Sequence, residues 1–137
     1  MSNIDYRIEP EVSDDALNAL FSTAWPQHTP VQFHPILSRS LTYLCASDGS
    51  VLVGFVNVAW DGGLHGFILD TTVHAEYQRT GIGTELLRIA ADVARARGLE
   101  WLHVDYEPHH DAFYRGCGYR ETMAGLLHLT DNPLLEV

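Results

Sequence analysis

The sequence predicts an α/β (α+β) domain: a mixed, largely antiparallel central sheet that ends in a parallel β-loop-α-β unit, with helices on both faces. Two patterns carry this. Three apolar segments, residues 41–46, 51–60 and 64–73, are separated by Asp48-Gly49 and by Asp61-Gly62-Gly63, and Asp-Gly between apolar runs is a hairpin signal, so the three form a meander. The next segment carries Ile82, Leu86, Ile89 and Val93, an i, i+4, i+7, i+11 stripe that only a helix collects on one side. A strand over residues 101–106 follows, and a strand reached through a helix returns parallel with a right-handed crossover.

Taken in order, Ile4, Tyr6 and Ile8 alternate with Asp5, Arg7 and Glu9, the period of a half-buried strand. Ser13 stands where a cap is needed, and Asp14 and Asp15 suit the first turn of the helix it begins. Leu17, Leu20, Phe21 and Ala24 make its buried stripe, and Pro26 stops it. Pro26, Pro30 and Pro35 break the segment from Trp25 to Ser40, which reads as a short helix near Ile36 and Leu37 or as a loop at a binding mouth. Gly98 terminates the striped helix. A short helix over 111–115 and closing strands near Tyr119–Met123 and Leu126–Thr130 are expected to complete the chain.

The 137 residues suit a single domain, and 46% hydrophobic with 19% charged residues is an ordinary globular balance. No apolar run is long enough for a membrane span, and Asp5, Arg7, Glu9 and Glu11 interrupt any signal-peptide core. Cys45 and Cys117 are the only cysteines, too few for a disulfide framework, so a reducing cytoplasm is the expected setting. A net charge of −10, from 18 acidic and 8 basic residues, argues against a nucleic-acid partner and favours a cationic one.

The chemistry centres on Gln78-Arg79-Thr80-Gly81-Ile82-Gly83. Gly81 and Gly83 bracket the first helical turn, where orphan N–H groups and the helix dipole form an anion seat. A dinucleotide reading would use Asp105 for a ribose, but Leu86 occupies the third glycine position of that fingerprint and its strand-to-helix turn is tighter. A P-loop is excluded because no Gly-Lys-Ser/Thr follows.

This run resembles the Q/R-x-x-G-x-G/A signature of the GCN5-related N-acetyltransferase family, and Val73-His74-Ala75-Glu76-Tyr77 resembles its lead-in. Ala112-Phe113-Tyr114-Arg115-Gly116-Cys117-Gly118-Tyr119 resembles the family's A-x-x-F-Y-x-x-x-G-F segment. The resemblance implies a soluble acyltransferase that moves an acetyl group from acetyl-CoA (coenzyme A) to a primary amine of a small molecule or peptide, by direct attack in a ternary complex. It also implies that the fourth and fifth strands splay to open a cofactor slot. Backbone amides from Arg79, Thr80, Gly81, Ile82, Gly83 and Thr84 would cradle the pyrophosphate, with side-chain contacts from Gln78 and Arg79. Thr72 and Val73 would pair with pantetheine, and Tyr114 would protonate the leaving thiolate.

The base is open: Asp70, polar in an apolar strand; Glu107 at the end of the next; or His109, His110 or Asp105 nearby. His109 also stands near the place where many members carry a cofactor-binding Asn. Trp25, His34, Trp60 and Asp70 are expected at the acceptor mouth, where aromatic faces and a carboxylate suit a cationic amine. The eight histidines show no ligand spacing, so no metal is expected. A homodimer is open, as is a catalytically silent acyl-CoA sensor.

Overall fold

Ser13 caps helix α1, Asp14–Ala24, by accepting from the Ala16 amide. The computed structural model describes residues 3–130, which divide into two units, the first ending at Val104 and the second beginning at Asp105. The first unit holds β1 (Ile4–Ile8), α1, α2 (His34–Leu37), β2 (Thr42–Asp48), β3 (Val51–Trp60), β4 (His65–Val73), α3 (Ile82–Ala96) and β5 (Trp101–His103). The second holds α4 (Asp111–Gly116), entered through a short turn of 3-10 helix at Pro108–His110.

The sheet runs β1-β2-β3-β4-β5, antiparallel throughout except for the parallel β4–β5 pair. Its two faces are read from neighbouring residues of β3, because side chains alternate along a strand. Phe55 faces α1, where it meets Phe21 at 5.9 Å and Phe33 at 6.4 Å between ring centroids, with Leu17, Leu20 and Cys45 closing the cluster. Gly54 faces α3: a Cβ there would lie 2.9 Å from Ile82 Cγ2 and 3.0 Å from Leu86 Cδ1. The paired positions Ala46 and Gly54 therefore let α3 settle close to the strands. Burial of the Cys45 thiol pushes its pKa up to about 12.

Outward, α3 carries Glu85, Arg88, Asp92 and Arg95 linked by i,i+3 and i,i+4 ion pairs of 2.5–2.9 Å. These are solvent-exposed and contribute little to folding; the stripe beneath holds the helix in place. None of the described helices is long and apolar enough to cross a membrane.

Two expectations fail. The strand over 101–106 ends at His103, and neither closing strand forms: residues 119–128 have no regular structure and 129–130 are a turn. Met123, Leu126, Leu127 and Leu129 stand exposed. Apolar alternation encodes a preference for extended backbone, but a strand exists only where another offers its amides and carbonyls, and this segment has no such pairing.

Phe55→Ala removes the ring on which Phe21, Phe33 and Tyr43 converge. It should lower unfolding stability by about 3–5 kcal/mol, read from the urea midpoint at an unchanged m-value.

Candidate active site

The register of β4 against β3 slips at one point. Phe55 pairs with Thr72 and Asn57 with Leu69, so Val56 alone faces both Asp70 and Thr71. Two residues opposite one is a β-bulge, and Asp70 takes the left-handed conformation it needs, with φ 58°. An aspartate adopts this region at a cost a β-branched residue would not tolerate.

The bulge is tied down by a short relay. Thr72 Oγ1 donates to the Asp70 carbonyl at 3.0 Å, and Trp25 Nε1 donates to Thr72 Oγ1 at 3.1 Å. Trp25 is the C-cap of α1, so the end of that helix is fastened to the bulge. Thr71 Oγ1 is buried with no hydrogen-bond partner among the described residues. The Asp70 residue is open to solvent along one side, yet enough protein surrounds the carboxyl for burial to raise its pKa above the ordinary aspartate value.

The parallel ladder is short. His65, Gly66 and Phe67 pair with Trp101, Leu102 and His103, and there it stops. From Ile68 to Val73, β4 has no β5 partner. His65 and His103 lie on the paired stretch with their ring nitrogens 2.7 Å apart.

The loop leading to α3 is held at nearly every step. His74 Nδ1 accepts from the Glu76 amide, Tyr77 Oη donates to Asp48 Oδ2 at 2.6 Å, and Thr80 Oγ1 donates to the Tyr77 carbonyl at 2.6 Å. Gln78 Nε2 donates to the Val73 carbonyl at 3.1 Å, so this side chain braces the loop. Arg79 has φ 64° and Gly81 φ 92°. Gly81 is the N-cap of α3 and supplies no side-chain cap. The amides of the first turn, including those of Gly83 and Thr84, are therefore not taken by a capping side chain, as an anion site requires. A Cβ on Gly81 would touch nothing within 4 Å, so its φ, and not crowding, selects glycine.

The remaining acceptor-site candidates are dispersed. Trp25 borders an open recess of about 430 Å³ with Pro26, Gln27 and His28. His34 begins α2 on the surface, while its neighbour Phe33 enters the core. Trp60 pairs with Gly66, four residues along β4 from Asp70, or ~13 Å at the usual strand rise. The bulge thus brings Trp25 and Thr72 to Asp70, with Trp60 farther along the sheet.

In the second unit, Glu107 is the exposed N-cap residue of the 3-10 turn, with no capping bond from its side chain. His109 is exposed and packs its ring 4.0 Å from that of His110. Burial, then the neighbouring His109, lowers the pKa of His110. Tyr114 is buried, stacked on Tyr106 at 4.6 Å and met edge-on by Tyr119 and Phe113. The sequence reading held Tyr106 only as the end of a strand and Asp111 only as the start of a short helix. Among the described residues no group of three or more His, Cys, Asp or Glu is placed to hold a metal ion.

The chain belongs to the acetyltransferase (GNAT) family, whose model matches residues 11–119. A GNAT-family acetyltransferase of Streptococcus pneumoniae shares the fold with a TM-score of 0.80, at 24% identity over 93% of this chain and 98% of that one. An aminoglycoside N-acetyltransferase, solved with the bisubstrate analogue CoA-S-monomethyl-acetylneamine, aligns with a TM-score of 0.76 at 17% identity, covering 93% and 97% of the two chains. Glucosamine-6-phosphate N-acetyltransferase from Arabidopsis thaliana aligns with 0.71 at 12% identity, over 90% and 97%. No curated protein matches the sequence significantly.

Thr72→Val keeps the shape of a buried side chain and deletes both bonds of the relay. The variant should lose about 1–3 kcal/mol in chemical denaturation. An unshifted midpoint would show that the bulge stands without it.

Proposed function

We propose that this protein transfers an acetyl group from acetyl-CoA to a primary amine of a small molecule or peptide, the amine attacking the thioester directly in a ternary complex. The observation that carries the reading is the pairing, in one unit, of an anion seat at the start of α3 with a strand edge open from Ile68 to Val73. Pyrophosphate and amide-bearing pantetheine are the two halves of coenzyme A, and these features fit them in turn. Backbone amides from Arg79 to Thr84 hold the pyrophosphate, and Thr72 and Val73 hydrogen-bond the pantetheine as an added strand would. Acetyl-CoA supplies an activated acyl group, so no covalent enzyme intermediate is required.

The protein's own tasks are then proton transfer and orientation. An ammonium acceptor must lose a proton before it can attack. Asp70 serves as the base: burial makes its carboxylate a better proton acceptor than an exposed one, and the left-handed backbone fixes its direction. Tyr114, which matches the family's tyrosine, donates a proton to the departing thiolate. The net charge of −10 and the Trp25 recess favour a cationic acceptor, in keeping with the aminoglycoside and amino-sugar acceptors of the similar folds.

Acetyl-CoA at about 100-fold over its Kd should stabilise the protein by ~2.7 kcal/mol, a rise of several degrees in Tm, and NADH should not. Stabilisation by NADH alone would overturn the reading.

Asp70 gives a second test with two opposite signs. A base works deprotonated, so kcat should fall as pH drops through its raised pKa. Asp70→Asn, which also tolerates positive φ, should cut kcat about 10²–10⁴-fold and abolish that acidic limb. A carboxyl whose pKa is raised by folding loses its stabilising contribution as pH rises through that value, so the same variant should be the more stable protein at pH 7. An intact acidic limb in Asp70→Asn would move the role to Glu107 or the His109–His110 pair.

A further inference from the structure

We infer that Tyr106, Asp111 and Arg115 form a clamp that fixes the ring of Tyr114, making Tyr106 and Asp111 positioning residues for the proton donor; this rests on the acid role proposed for Tyr114. The clamp lies wholly within the second unit. The Tyr106 ring covers one face of Tyr114, with centroids 4.6 Å apart and planes 20° from parallel. Tyr119 and Phe113 press on it at 85° and 75° to its plane. A ring held on a face and from two edgewise neighbours has little room to tilt, so its hydroxyl is confined to one place.

Tyr106 itself is only half buried, and packing alone does not fix it. Its hydroxyl donates to Asp111 Oδ1 at 3.0 Å. The other Asp111 oxygen takes Arg115 Nε at 2.8 Å, and Arg115 extends a second nitrogen to Glu121 at 2.7 Å. The acceptor bond to Asp111 holds the Tyr106 pKa above the ordinary tyrosine value, so its hydroxyl stays a donor.

Energy separates orientation from stability as the purpose of this chain. Asp111 and Arg115 are substantially exposed, and exposed pairs contribute little to folding. What a planar guanidinium and a carboxylate supply here is direction. Asp111 leads α4 and Arg115 lies one turn on, so the helix that carries Tyr114 also carries the two residues that hold its partner.

The decisive variants do not touch Tyr114. Asp111→Ala removes the acceptor for Tyr106, Asp111→Asn keeps an oxygen in its place, and Tyr106→Phe keeps the ring and loses the tether. In protein labelled with 3-fluorotyrosine, the Tyr114 resonance is the one lost in Tyr114→Phe. It should shift or narrow toward faster ring averaging in Asp111→Ala and Tyr106→Phe, and return to its wild-type form in Asp111→Asn. A wild-type Tyr114 resonance in both Asp111→Ala and Tyr106→Phe overturns the clamp, with or without turnover.

Thiol release from acetyl-CoA, with neamine, glucosamine 6-phosphate and spermidine as trial acceptors, then separates clamp from acid. Asp111→Ala should lower kcat several-fold at unchanged KM for acetyl-CoA, Asp111→Asn should restore it, and Asp111→Ala/Tyr114→Phe should be no slower than Tyr114→Phe. An undiminished kcat in Tyr114→Phe removes the acid role and leaves the clamp to the fluorine spectra. A reduced kcat in Tyr114→Phe with a normal one in Asp111→Ala shows that the clamp does not serve the reaction.

Discussion

The first unit depends on one irregular step in its sheet, where Val56 faces both Asp70 and Thr71. The extra residue re-aims β4 just past the three pairs it makes with β5. One end of β4 lies between β3 and β5, and the other, from Ile68 to Val73, has β3 alone as its strand neighbour. The cost is a non-glycine residue with positive φ, and such strain persists only where its surroundings enforce it. Thr72 and Trp25 do so here.

Close packing on the opposite face is the second requirement. The amide cluster at Gly81 is useful only if α3 holds one position relative to the sheet, and the small pair Ala46 and Gly54 lets Ile82 and Leu86 seat directly on the strands. The first turn of α3 thus has a packed side formed by Ile82 and Gly83 and an amide end left uncapped. The loop before it, braced by Tyr77, Gln78 and Thr80, keeps those amides from collapsing onto their own chain.

Much of this was legible because the relevant signals are local. The stripe Ile82, Leu86, Ile89, Val93 specifies a helix whatever surrounds it, and Asp48-Gly49 specifies a turn. The bulge was not legible: Asp70 is polar in an apolar strand, but nothing in its neighbours states that it takes the conformation usually left to glycine. The segment after Tyr119 misled for the converse reason, since its apolar residues suit a strand and pairing is a property of the partner. Trp60 was grouped with Asp70 by residue type alone, and the β3–β4 register sets it opposite Gly66. Tyr106 and Asp111 lie five residues apart across a 3-10 turn, a spacing that belongs to no helical or strand period, so only coordinates join them.

Cys45, buried in the cluster with Phe21, Phe33 and Phe55, has a further use. Thiolate is the form that reacts with alkylating agents, and a buried thiol pushed to about 12 beside Phe55 offers almost none. Its modification must wait for the sheet to part from α1. The chain therefore carries its own clock: the rate at which Cys45 accepts a label reports how often this core opens, independently of the aromatic residues whose fluorescence would ordinarily be followed.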